Sequence, residues 1–167
     1  MKRFVPIITL VLILACSVTI ASRILIIGEG INNGSQIIAS DIIRLANNER
    51  ELRSAEALRE SPILASAAQM KADDMAQNGY FSHNSPDGKR PWTWLAIAGY
   101  RYDYAGENLA MNYTESADVH NAWMMSRAHK SNILNPNYTE IGVGTAVGLV
   151  GGKEVEYTVE FFGRSVR

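Results

Sequence analysis

His83, His120 and His129 are the only three histidines in the chain. An imidazole titrates near neutral pH, donates and accepts hydrogen bonds, and binds metals, so each placement matters. His83 falls in a loop after a helical stretch and His129 in the turn after another, both on connections where functional side chains tend to be presented. His120 sits mid-helix, three residues before Trp123, and reads as a surface or boundary residue. Glu107, between Gly106 and Asn108, is the carboxylate to pair with the two loop histidines. Two neutral imidazoles and one carboxylate can hold Zn²⁺ with a fourth position open, the pattern of a catalytic zinc. Glu107 would then be a third ligand or a general base to a metal-bound water. The same residues can instead form a purely structural network, a buried carboxylate satisfied by backbone N–H groups or an imidazolium, or two unrelated solvated histidines. Spacing does not separate these readings.

Other chemistries are less well supported. Asn84 and Asp87 offer hard oxygens to Ca²⁺, but no EF-hand ligand pattern surrounds them, and Ser85-Pro86-Asp87-Gly88 has the composition of a tight turn. Ser126 precedes His129 by one helical turn without the strand-to-helix elbow of a serine hydrolase, and a helix cap explains it with less strain. No glycine-rich phosphate loop occurs. Asn33, Asn112 and Asn137 each begin a glycosylation-type triplet, a pattern short enough to arise by chance. The single cysteine, Cys16, excludes an internal disulfide and a cysteine-based zinc site.

The elements that must position these residues are legible in part. Ser40 is placed to cap a first helix with Ile42, Ile43, Leu45 and Ala46 inward, Asn47, Asn48, Glu49 and Arg50 outward, and an end near Arg53. A second helix begins with Ser61 as cap and Pro62 as first residue, carries an apolar stripe from Ile63 through Ala76, and stops at Gly79. A short third helix spans residues 91–98 before Gly99; a fourth runs from about Glu115 to Met125, capped by Thr114 or Ser116. Ser126 caps one more turn through His129 to Leu134. The period then changes from 3.6 to 2. Ile141, Val143, Thr145, Val147 and Leu149 alternate with glycine and alanine, and Val155, Tyr157, Val159 and Phe161 alternate with polar residues. The second run reads as a strand with one buried face, and Gly151-Gly152 joins the two runs as a hairpin. The small face of the first strand leaves room for a helix to approach its backbone. Helices first and a hairpin last give an α+β domain with antiparallel pairing.

Length and composition set the frame. A chain of 167 residues accommodates one domain plus a segment, and 47% apolar with 20% charged residues excludes both a disordered polymer and a polytopic membrane protein. Sixteen basic against 17 acidic residues, without a basic block, exclude nucleic acid as a partner. Lys2 and Arg3 precede a stretch, residues 4–22, that carries no charge and as a helix would reach about 28 Å, close to a bilayer core. Residues 1–23 therefore read as an export signal, with an uncleaved membrane anchor favoured over cleavage after Ala21 or lipid attachment at Cys16. The positive end stays in the cytoplasm and the rest faces outward, at the extracytoplasmic side of the membrane, or is secreted if the segment is cleaved. Residues 24–39, rich in turn formers, read as a linker and 164–167 as a tail.

Several blocks occur in one order: residues 81–88 (Phe-Ser-His-Asn-Ser-Pro-Asp-Gly), Ala98-Gly99-Tyr100, Ala105-Gly106-Glu107-Asn108-Leu109-Ala110, Ala122-Trp123-Met124, and the run from His129 through Glu140 to Gly144. Over about residues 40–163 this set resembles a bacterial member of the CAP superfamily (SCP domain), the group of cysteine-rich secretory, antigen 5 and pathogenesis-related proteins. The resemblance implies a three-layer α-β-α sandwich with a central antiparallel sheet, and a shallow cleft in which His83, Glu107 and His129 match three members of a tetrad. Ser126 falls where many eukaryotic relatives carry the fourth member, an acid. Divalent metal binding, lipid or sterol binding and proteolysis have each been attributed to the family, and no single reaction defines it, so the fold does not stand in for function. With no recognisable nucleophile, the first expectation is a binding module for a peptide, lipid or cell-wall component, with Zn²⁺ or another divalent cation as a candidate cofactor. The alternative is a metal-dependent hydrolase using the same cleft.

Overall fold

Small residues at alternate positions of one strand, Gly142, Gly144, Ala146 and Gly148, shape the centre of the fold. In the computed structural model, which describes residues 37–166, the elements follow in the order α1 (Ala39–Glu51), β1 (Arg59–Glu60), α2 (Pro62–Asn78), α3 (Pro91–Ala98), β2 (Tyr102–Met111), α4 (Ser116–Met125), α5 (Arg127–Ile133), β3 (Glu140–Val150) and β4 (Lys153–Ser165). The sheet order is β1-β3-β4-β2, with β3–β4 and β4–β2 antiparallel. The two-residue β1 adds a parallel pairing at the edge of β3. A Cβ at Gly142 or Gly144 would overlap the backbone of α2, and one at Gly148 would come within 2.7 Å of the Ala76 carbonyl oxygen. The helix thus lies directly on the strand, as the small face allows. Gly151 and Gly152, at φ 59° and 79°, make the hairpin turn.

Alternation along the strands divides the core in two. On one face Leu109, Tyr157, Val159 and Phe161 pack against Leu64, Ala67, Ala68, Met75, Trp94 and Leu95 of α2 and α3. On the other, Ala110, Ile141, Val143 and Phe162 pack against Ile42, Ala46, Val119, Trp123 and Ile133 of α1, α4 and α5. Helices on both faces of one sheet make three layers.

α2 starts and stops as its sequence dictates: Ser61 Oγ accepts from the Leu64 N–H, Pro62 opens the helix, and Gly79 ends it in the left-handed region. Several local features differ from the sequence reading. The cap of α1 is Ile38 and Ser40 lies inside the helix, because the hydroxyl of Ser116, instead of capping α4, accepts the Ile38 N–H at 2.8 Å. Arg50, expected outward, is buried, its guanidinium donating to the carbonyls of Glu56, Ile133 and Asn135. β4 is buried on both faces, since Thr158 and Glu160 lie under the α1/α4/α5 layer. Residues 102–111 form a full strand, and β4 continues to Ser165, into the stretch read as a tail. The apolar segment at residues 4–22 lies outside the described residues. Among those described, no helix is long and apolar enough to cross a membrane.

Candidate functional site

β2 is an edge strand, and consecutive residues near its middle serve opposite sides of it. Glu107 stands opposite Phe161, on the α2 face, and Asn108 stands opposite Glu160, on the other. Glu107 Oε2 lies 2.5 Å from His83 Nδ1, the carboxylate 2% and the imidazole 58% exposed. The second carboxylate oxygen, Oε1, is buried without a hydrogen-bond partner among the described residues. Lys71, in the apolar stripe of α2, holds the loop that carries His83. Its Nζ donates to the carbonyls of Ser82 (2.9 Å) and His83 (3.1 Å) and to the Tyr80 hydroxyl (3.0 Å), beneath the Tyr80 ring. The Ser85-Pro86-Asp87-Gly88 turn closes as its sequence demands, with the Gly88 N–H donating to the Ser85 carbonyl.

On the other side, Asn132 of α5 donates to the carbonyl of Glu107 (3.0 Å) and to Asn108 Oδ1 (2.9 Å), and Asn108 Nδ2 donates to Glu160 Oε2 (2.9 Å) and the His129 carbonyl (3.3 Å). Burial pushes the Glu160 carboxyl up to about 8, which favours the neutral acid in this network. Three alternate carbonyls of β2, those of Ala105, Glu107 and Leu109, accept from Tyr138 Oη, Asn132 Nδ2 and Trp123 Nε1. Side-chain donors on this outer edge oppose the addition of another strand and fix α5, with His129, beside Glu107.

The electrostatics set the two loop histidines apart. Hydrogen bonding to Glu107 raises the His83 pKa against an opposing desolvation. Burial lowers that of His129, and the nearby charge on His83 lowers it further. Burial raises the Glu107 carboxyl while the His83 hydrogen bond and charge pull it back, so the buried carboxylate and its imidazolium depend on one another. The structure thus brings His83 and Glu107 into contact and His129 within reach of the charge on His83. His120 is not part of the site and is not on the surface: it is 3% exposed, and neither ring nitrogen has a partner among the described residues.

The model of the cysteine-rich secretory protein (CAP) family matches residues 43–161. The chain belongs to this family. Over 103 residues it is 39% identical to YkwD of Bacillus subtilis (strain 168), an uncharacterized protein; the match covers 62% of this chain and 40% of YkwD. An extracellular protein containing an SCP domain from Bacillus anthracis superposes with a TM-score of 0.66 at 27% identity, over 76% of this chain and 40% of that one. An outer surface protein of Borrelia burgdorferi gives the same TM-score at 20% identity, covering 76% and 92%, a likeness of fold. The chain thus spans well under half the length of the curated relative and of the Bacillus anthracis protein.

Among the described residues no three His, Cys, Asp or Glu side chains form a metal-binding group. Glu107 Oε2 is engaged by His83 Nδ1, so the carboxylate orients the imidazole. His83 Nε2 and His129 remain, two imidazoles where a catalytic zinc takes three protein donors.

Sequence reasoning missed Lys71, Asn132 and Glu160. Lys71 had a visible signal, a lone cation on the stripe of Ala67, Ala68, Ala72 and Met75, one turn from Ala67 and from Met75. Asn132 lies one turn after His129 on the same helix. For Glu160, alternation along the strand pointed to solvent, and only the helices covering that face make it buried.

Proposed function

We propose that this CAP-family protein is an extracytoplasmic, membrane-tethered binding module whose His83/Glu107/His129 cleft engages a peptide, lipid or cell-wall component. The observation that carries the reading is the His83–Glu107 pair. A buried carboxylate holds Nδ1 of a half-exposed, pKa-raised imidazole, so Nε2 is the ring nitrogen left for a ligand. His129, with its pKa lowered, supplies a neutral imidazole nearby. An imidazole whose protonated form the carboxylate favours, beside one whose protonation burial opposes, suits a ligand presenting an anionic or acceptor oxygen next to a hydroxyl or amide. Among the described residues, no serine, threonine or cysteine side chain is hydrogen-bonded to either imidazole, which supports recognition ahead of nucleophilic catalysis. The tether reading draws on Lys2, Arg3 and the uncharged residues 4–22, and on relatives that include an extracellular SCP-domain protein and YlbC, an uncharacterized Bacillus subtilis membrane protein.

The test is to incubate the full-length protein, in detergent micelles, with casein and with wall-derived peptides. Saturable binding that weakens at least several-fold in Glu107→Gln, without cleavage, is expected. Turnover that disappears in Glu107→Gln would overturn the binding reading in favour of hydrolysis.

A further inference from the structure

Beyond Met111 the sheet narrows to a two-stranded ribbon. β2 pairs with β4 as far as Met111 opposite Tyr157, whereas β3 and β4 stay paired out to Val150 opposite Lys153. On one face of this ribbon Val147 is 61% and Leu149 66% exposed, and on the other face, at the tip, Val150 is exposed as well. Neighbouring apolar side chains held in water on a projecting hairpin mark a contact surface more than scattered exposure does.

The N-terminal segment joins the domain at this same end of the sheet. The Asn112 N–H donates to the Glu156 carbonyl at the base of the ribbon, and a short turn later Ser116 Oγ accepts from the Ile38 N–H, each at 2.8 Å. Ile38 is itself an exposed large apolar residue, and residues 1–36, with their uncharged stretch at 4–22, precede Ile37. Tyr100 marks the opposite end, where its ring packs on Gly163 and its hydroxyl donates to Glu140 at 2.5 Å.

We propose that the tip of the β3–β4 hairpin, Val147, Leu149 and Val150, is a second membrane contact that rests in the interfacial region of the bilayer anchored by residues 4–22. The inference rests on the membrane-tethered reading above. Tethering makes the second contact intramolecular, so an apolar surface too small to hold a free protein on a membrane suffices. The charges around the tip set its depth. Lys153, opposite Val150, can reach headgroup phosphates, whereas Glu154 opposite Leu149 and Glu156 opposite Val147 must stay hydrated, which limits insertion to the headgroup level.

The test uses the full-length chain with Cys16→Ser and Leu149→Cys, labelled with a polarity-sensitive fluorophore and reconstituted into phosphatidylcholine/phosphatidylglycerol vesicles. A second protein carries the label at Ile97, an exposed residue near Tyr100. The expected result is blue-shifted emission from position 149, quenched by nitroxide lipids labelled near the headgroup, with water-like, unquenched emission from position 97. Water-like emission at 149 from protein that floats with the vesicles would overturn the hairpin contact while leaving the tether intact. A blue shift that nitroxide lipids do not quench would place the tip against a second protein copy and also overturn it. Protein that fails to float would overturn the tether, and the hairpin contact with it.

Discussion

Glu107 and His83 illustrate how a residue pair acquires its chemistry from burial. The carboxylate alone in its buried position would resist ionisation, and the exposed imidazole alone would titrate ordinarily; joined through Nδ1, each favours the other's charged form. In Glu107→Gln the His83 pKa is expected to fall, which a pH titration of the histidine ring signals by NMR reads directly. The linkage has a definite sign. Because His83 is raised in the folded state, its contribution to stability is fully present below about 6.5 and is lost as pH rises through the folded pKa. With the imidazole half-exposed, the contribution is about 1 kcal/mol or less. Lys71 works behind the pair. Lys71→Met leaves the Ser82 and His83 carbonyls without their donor and should lower stability by about 1–3 kcal/mol in denaturant titrations. It should also raise the His83 pKa, because the ammonium opposes protonation there. His83, Glu107 and His129 were legible as candidates from residue type and loop position. That Glu107 Oε2 meets His83 Nδ1 was not, because the pairing depends on which nitrogen meets which oxygen.

At the scale of elements, the local signals that survived folding were those whose physics is local. Proline and glycine bracket α2 and α3, and the Gly151-Gly152 turn with its alternating flanks gave β3 and β4. β2 was not legible, since no alternating apolar run marks residues 102–111 and pairing with β4 supplies the order. Arg50 and Glu160 were misread for the same reason: a charged side chain points to solvent unless distant segments supply carbonyls or amides, as Ile133, Asn135 and Asn108 do. The contact of α2 with β3 is the element-level feature most open to test. Gly144→Ala would drive a methyl group into the backbone at Ala68 and Gln69 and should cost about 1–3 kcal/mol, read as a lower denaturation midpoint with an unchanged m-value.

For the whole molecule, the three layers leave the two histidine-bearing segments on either side of one strand edge, with α5 pinned to that edge by Asn132 and Trp123 closing it farther along. The tethered reading places this cleft outside the membrane. The full-length protein is then expected to stay with membranes through a carbonate wash and to retain Met1 or Lys2 by mass spectrometry. A mature chain starting at Ser22, or at a lipidated Cys16, would contradict an uncleaved anchor. The central claim is that His83, Glu107 and His129 form one ligand-binding cleft, and histidine ring NMR of the full-length protein during titration with wall-derived peptides tests it most directly. His83 and His129 should shift together and saturably, buried His120 should stay in place, and the response should be lost in Glu107→Gln. Shifts confined to one loop histidine, or equal in wild type and Glu107→Gln, would contradict the shared cleft.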